Sequence, residues 1–201
     1  RMAEYTAFVE AGNGLVELLR ENMTPEPISK RDLISLCSPH ESENNQVTVY
    51  LFHIEEDKQS APNGGYMQQS RNLQRMAPSR FQLSFLITAH SKAPAQLREA
   101  DQYRMLGAAI QVLKDHPVLD RKYLQGSLLE TGASVHISVE RPNFDQMIKI
   151  WNDTTKPYKL SIVCKLEGIF IDSKRTRSVA RVGEVAISLD EQATTRKGGN
   201  V

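Results

Sequence analysis

"FQLSFLITAHSKAPAQLREADQYRMLGAAIQVLKDHPVLD", Phe81 to Asp120, holds a strand, a turn and a long helix in forty consecutive residues. Its opening alternates, with Phe81, Leu83, Phe85 and Ile87 against Gln82, Ser84 and Thr88. That pattern predicts a strand with one well-buried face. From Pro94 to His116, Leu97, Ala100, Tyr103, Leu106, Ile110 and Leu113 recur at three- and four-residue steps, which predicts a helix. Pro117 ends it, because proline disfavours the helical conformation at the residue before it.

Working outward, residues 3–23 carry a second helical stripe of Tyr5, Phe8, Gly12, Leu15 and Leu19, joined by Val16 and Leu18. Gly12 and Gly14 each weaken a helix by about 1 kcal/mol relative to alanine, so a bend or two short pieces are expected there. The proline-rich stretch up to Asn45 reads as a loop with at most one helical turn near Asp32–Cys37. "QVTVYLFHIEED" (46–57) reads as a strand covered on both sides, with Val47, Val49 and Leu51 on one face and Tyr50, Phe52 and Ile54 on the other. Residues 58–80 are polar and contain Asn63-Gly64-Gly65 and Pro78, which predicts a long exposed loop.

Beyond Asp120, residues 134–141 alternate as a strand. "NFDQMIKIW" then places Phe144, Met147, Ile148 and Trp151 on one helical stripe behind an Asn143 cap. Residues 159–172 form a long strand whose apolar parity shifts near Gly168, the mark of a bulge or bend. A last strand over 179–189 carries Val185, Ile187 and Leu189. The expected order is α, β, β, α, β, α, β, β: a mixed α/β (α+β) fold in which a mixed β-sheet is flanked by helices. The segment from Phe81 through the helix to the 134–141 strand fits a right-handed crossover. Trp151, Phe144, Leu106, Ile110, Phe85 and Ile87 are expected to share one core. Residues 1–190 read as a single domain and 191–201 as a polar, flexible tail.

Composition narrows the function classes. The 201 residues are 40% hydrophobic and 24% charged, ordinary for a globular chain. Lys and Arg number 25 against 24 Asp and Glu, a net charge of +1 that argues against a nucleic-acid partner. No apolar run approaches the roughly 18 residues of a membrane span, and the N-terminus lacks the layout of a secretory signal. Cys37 and Cys164 are too few for a disulfide framework and read as reduced thiols of a cytosolic chain.

Catalytic motifs are missing from the sequence. It has no nucleophile elbow, phosphate-binding loop, dinucleotide fingerprint or zinc-protease motif. His40, His53, His90, His116 and His136 form no local ligand pair with one another or with a cysteine, so no metal and no cofactor are expected. His53 and His136 read as sheet-surface residues, and His116 as a helix-end cation. The one enzymatic alternative is a cysteine-dependent hydrolase using Cys37 with His40. Lys174, Arg175, Arg177 and Arg181 form a basic cluster.

Four pieces together resemble one family: "VTVYLFHIEED", "LSFLITAHS", "YRMLGAAIQVLKDHPVLD" and "IWNDTTKPYKLSIVCKLEGIFID". In that order and spacing, over roughly residues 4–172, the chain resembles the tube-terminator, or cap, proteins of extracellular contractile injection systems, relatives of contractile phage tails. The family commonly has an aromatic where His90 stands, and of its serine or tyrosine pattern after the proline-tyrosine loop the chain keeps Ser161. The resemblance implies a tail-terminator-like fold and a structural, non-enzymatic role. Six copies would form a ring on the distal end of the inner tube, stop its growth and join the last sheath layer to it. The implied partners are further copies of the chain, the inner tube protein and the sheath protein. Assembly would be cytoplasmic, followed by life as part of a phage-tail-like particle. A neck or completion ring of the same particle is the nearest alternative. On this reading Lys174, Arg175, Arg177 and Arg181, with Val185, Ile187 and Leu189 beyond them, form an interface with sheath, tube or a neighbouring subunit.

Overall fold

The computed structural model describes residues 4–41, 44–57, 65–152 and 157–179. In chain order these form α1 (Ala7–Met23), β1 (Ile34–Leu36), β2 (Val47–Glu56), β3 (Tyr66–Ser70), β4 (Leu73–Met76), β5 (Ser79–Ala89), α2 (Ala95–Asp115), α3 (Gly126–Thr131), β6 (His136–Glu140), α4 (Phe144–Asn152), β7 (Ser161–Ile171) and β8 (Thr176–Ser178). They build a mixed α/β domain with a five-stranded sheet in the order β1-β2-β5-β7-β6 and a three-stranded sheet in the order β3-β4-β8.

β5 is central because both its faces are apolar enough to be covered. Leu83, Phe85 and Ile87 are wholly buried on one side, and Leu86 is wholly buried on the other. It pairs antiparallel with β2 and with β7 along nearly its full length. β6 is also antiparallel to β7, so β5 and β6 run parallel with β7 between them. The path from β5 through α2 and α3 to β6 is therefore a crossover that leaves room for a later strand.

The main core lies between this sheet and the α1–α2 layer. Leu15, Leu18 and Leu19 of α1 and Met105, Leu106, Ala109 and Leu113 of α2 meet Val49, Phe85, Cys164 and Leu166 there. α1 is a single unbroken helix, contrary to the bend expected at its glycines. Both glycines are buried where a neighbour comes close. A β-carbon at Gly14 would lie 2.9 Å from the Tyr123 carbonyl oxygen, and one at Gly12 would lie 3.0 Å from Leu36 Cδ1. Close packing, not bending, accounts for them.

The opposite sheet face carries a smaller cluster. Trp151 and Met147 of α4 pack on Leu86 and Val163, with Tyr50, Phe52 and Ile150 beside them. Asn143 caps α4, its Oδ1 accepting from the Asp145 amide at 3.0 Å. The expected single core is thus two clusters across one sheet: Leu106, Phe85 and Ile87 belong to the first and Trp151 to the second. Phe144 is 77% exposed and Ile110 36%, so neither is a core residue. The stripe assigned to the second helix also shifts. α2 buries Met105, Leu106, Ala109, Val112 and Leu113, while Leu97 and Tyr103 stand in solvent. Among the described residues, 95–100 are all exposed, so the apolar spacing in the first turns of α2 does not mark a core face there.

Two bulges adjust parity along the long strands. β2 skips Phe52 between the pairs Leu51↔Phe85 and His53↔Ser84, which moves Ile54 off the Tyr50 face to stand opposite Leu83. β7 skips Gly168 between the pairs Phe81↔Ile169 and Gln82↔Glu167. Gly168 has φ +88°, and a β-carbon there would run into the Ser134 carbonyl oxygen. The parity shift expected at this glycine is a bulge that only glycine accommodates.

The remaining differences are strands with weak apolar signals. β1 lies within the stretch read as loop, after a short 3-10 turn at Arg31–Leu33, and pairs parallel with Val47–Val49. The long loop expected over 58–80 contains the β3–β4 hairpin and the start of β5. The expected last strand, 179–189, falls almost wholly outside the described residues, as does the tail 191–201; the described strand of that region is β8.

Candidate functional site

The hairpin brings two distant basic segments together. β4 pairs antiparallel with β3 on one side and β8 on the other, with Gln74 opposite Gln68 and Arg177. Arg71 and Arg75 of the hairpin thereby join Lys174, Arg175 and Arg177 on one small sheet. Side chains stitch it across the strands. Arg177 Nε donates to Gln74 Oε1 at 2.9 Å, and Gln74 Nε2 donates to Gln68 Oε1 at 3.1 Å. The Arg177 guanidinium also lies 4.1 Å from the centre of the Tyr66 ring, a cation–π contact. Main-chain bonds close the sheet's ends, from the Met76 amide to Arg175 oxygen at 2.9 Å and from the Val179 amide to Asn72 oxygen at 3.0 Å.

Lys174, Arg175 and Arg177 are exposed, as is Arg71. Met67 and Met76 add exposed apolar surface, at 54% and 38%. The sheet therefore presents cations and flexible apolar side chains together, the mixture a protein interface uses. Arg181, Val185, Ile187 and Leu189, assigned to the same interface from sequence, lie outside the described residues.

The catalytic alternative finds no geometry to support it. The Cys37 thiol takes a hydrogen bond from Asn45 Nδ2 at 3.4 Å. Burial, and then the nearby Glu41 carboxylate, push its pKa up, which disfavours the thiolate a nucleophile needs. His40 turns to other partners: its Nε2 donates to the Ile150 carbonyl at 3.0 Å, and its ring stands edge-on to Trp151 at 5.0 Å. Cys164 is wholly buried in β7, and burial followed by Glu140 lifts its pKa to about 12. Among the described residues no group of His, Cys, Asp and Glu gathers that could hold a metal.

The other histidines have structural surroundings. His116 Nδ1 donates to the Val112 carbonyl at 2.8 Å and closes the end of α2. His136 is exposed at the start of β6 and His53 is half-buried on β2. His90 is 3% exposed. Its Nδ1 accepts from the Lys159 ammonium at 2.8 Å and its Nε2 donates to the Thr48 hydroxyl at 2.9 Å. A buried imidazole bonded at both nitrogens fills the volume of an aromatic while satisfying two polar neighbours. No local sequence pattern announces this trio, because its members come from β2, the end of β5 and the approach to β7.

The fold has relatives of known structure. The chain is similar to a PVC sheath/tube terminator of an extracellular contractile injection system in its extended state, with 13% identity and a TM-score of 0.61 over 94% of this chain. It is also similar to the anti-feeding prophage cap, a tube-terminating cap, with 15% identity and a TM-score of 0.55 over 90% of this chain. The chain spans 65% and 61% of the lengths of these two proteins. No curated protein sequence matches it. The model of the Pvc16 N-terminal domain matches residues 10–184, nearly the whole described fold, and the chain therefore belongs to the Pvc16 N-terminal domain family.

Proposed function

We propose that the chain is a structural terminator of a contractile, phage-tail-like injection particle. It forms a ring, six copies in number, on the distal end of the inner tube. There it ends tube and sheath growth and joins the last sheath layer to the tube. The observation that carries this reading is family membership over residues 10–184, together with a terminator-like fold over 94% of the chain. The role is non-enzymatic. Capping needs one surface that matches the growing tube end and another that offers no further docking site, and neither requires a tuned pKa. The raised pKa of Cys37 and the separate engagement of His40 agree with that.

Subunits assemble in the cytoplasm and end as part of the particle. Among the described residues no helix is long and apolar enough to cross a membrane. The basic sheet of β3, β4 and β8 faces sheath, tube or a neighbouring copy, with Lys174, Arg175, Arg177 and Arg181 setting register and Val185, Ile187 and Leu189 supplying apolar contact. The test is assembly of tube and sheath with and without the chain, followed by electron microscopy of particle ends. A six-fold density at the distal end and a defined tube length are expected only when the chain is present. Equal length distributions in both preparations would overturn the reading.

A further inference from the structure

We propose that the ring closes by a head-to-tail contact in which Phe144 of one copy enters an apolar groove on the opposite sheet edge of the next copy. The inference rests on the ring reading above and names its contact surface. In the order β1-β2-β5-β7-β6, β1 and β6 lie at opposite edges. Phe144 begins α4, four residues after β6 ends at Glu140. α4 then crosses the sheet face, packing Trp151 on Leu86 and Val163. Its far end reaches the segment that follows β1, where the Ile150 carbonyl meets His40. The first turn of α4 is therefore left at the β6 edge. There Phe144 is 77% exposed, and Ile148, one turn on, is 42% exposed. Among the described residues this phenylalanine has little to pack on.

The opposite edge offers a hole. β1 pairs only with Val47–Val49, so no described strand flanks β2 on that side from Tyr50 onward. α1 leans over the gap and leaves an open groove of about 500 Å³. Phe8, Val9, Leu36, Val49, Leu51 and Phe85 line it. That volume takes an aromatic side chain with room for Ile148 behind it. Of the charges beside Phe144, the exposed Arg141, three residues before it, complements Glu41 on the groove's lining, whereas the adjacent Asp145 does not. Opposite charges beside an apolar anchor fix register more than they add affinity. A knob on one edge and a hole on the other repeat by rotation and close a ring, whereas a two-fold dimer would bring one patch against itself.

Cys37 makes the contact directly testable. It lines the same groove and is partly exposed, while Cys164, the second cysteine, is wholly buried. Phe144→Cys puts a new thiol on the knob, opposite the native thiol in the next copy's hole. Oxidation of assembled particles carrying Phe144→Cys should give a ladder of covalent oligomers up to the hexamer on a non-reducing gel. The ladder should vanish when Cys37→Ser is added. In parallel, Phe144→Glu should leave the thermal melting of the subunit unchanged, because the side chain is exposed. It should lower the fraction of capped particle ends about tenfold or more, as a charge placed in an apolar groove would. Rings at particle ends with no ladder, and with no effect of Phe144→Glu, would overturn the contact and leave the ring reading standing. A ladder that stops at the dimer would overturn the head-to-tail arrangement. Particle ends with no ring in the unsubstituted protein would overturn the ring reading and this contact with it.

Discussion

In the five-stranded sheet, Val49, Leu83, Phe85, Ile87, Cys164 and Leu166 are wholly buried, while in β3, β4 and β8 every residue is half-buried or exposed. The first sheet is held by apolar burial on both faces. The second is held by main-chain pairing, the Gln68–Gln74–Arg177 chain of hydrogen bonds and the Arg177–Tyr66 stack. Sheets of the second kind contribute little stability of their own, since a small sheet without an apolar face is marginal in water. The domain thus separates a sheet whose burial drives folding from one whose described residues carry little buried apolar surface.

Substitution on the two sheets should expose this division at once. Phe85→Ala removes a wholly buried ring from the main core and should destabilise the domain by about 3–5 kcal/mol. Met67→Ala on β3 should change stability by no more than about 0.5 kcal/mol, as expected of an exposed position. Urea unfolding followed by circular dichroism measures both. Comparable losses would mean that the small sheet belongs to the folding core.

Trp151 sharpens the comparison within the large sheet. It is 6% exposed and anchors α4 to the second face, with His40 and Tyr158 edge-on at 5.0 and 5.8 Å. Trp151→Ala should cost about 3 kcal/mol, toward the lower end of the range for a buried aromatic, because the cluster around it is small. A variant that melts at the native temperature would show that α4 is not anchored by this ring.

How much of this was legible depends on where the signal is stored. β2, β5 and β7 announce themselves because their own apolar residues dictate burial, and Asn143 because capping is a local bond. The β3–β4 hairpin is hidden. "YMQQSRNLQRM" has few apolar residues, and its strands gain partners from Arg177, which is far along the chain. The exposure of Phe144 is equally hidden, since periodicity places it on the Trp151 stripe but not beyond the edge of the sheet. The basic cluster was visible at 174–177, whereas its enlargement by Arg71 and Arg75 required the fold.

A smaller effect tests how α1 is tied to α3. Glu10 Oε2 accepts from the Ser127 hydroxyl and the Leu128 amide, each at 2.9 Å, and Thr6 donates to Oε1 at 2.6 Å. Burial opposes ionisation, but these hydrogen bonds outweigh it and the carboxyl pKa is lowered. A lowered folded-state pKa stabilises the domain above the unfolded-state value of about 4.3. That contribution is lost as pH falls through the folded-state value. Glu10→Gln should therefore cost about 1 kcal/mol at neutral pH, and its deficit should shrink in acid below about pH 4. A deficit that stays constant down to pH 3 would assign the effect to shape and not to charge.

The smallest expected effect on stability comes from the basic sheet, and there the comparison turns into function. Lys174, Arg175 and Arg177 lie within four positions of one another and are exposed, so their mutual repulsion is screened by solvent in the free subunit. Exposed ion pairs contribute only about 0–1 kcal/mol each, so these cations add little to folding. Arg177 differs from Arg175 in one respect: its guanidinium is engaged by Gln74 and Tyr66, which hold it in place. Reversing Arg175 and Arg177 to glutamate should leave the subunit folded, with a slight loss confined to the three-stranded sheet. Attachment to particles should fall, and fall more at low salt than at high salt, because screening weakens repulsion from an acidic partner. Reversal of Arg177 should do more harm than reversal of Arg175, since it removes a preorganised contact as well as a charge. Cap occupancy counted by electron microscopy across a salt series measures this. Full occupancy at every salt concentration would return the basic sheet to the status of a solvated surface and leave attachment to other faces of the domain.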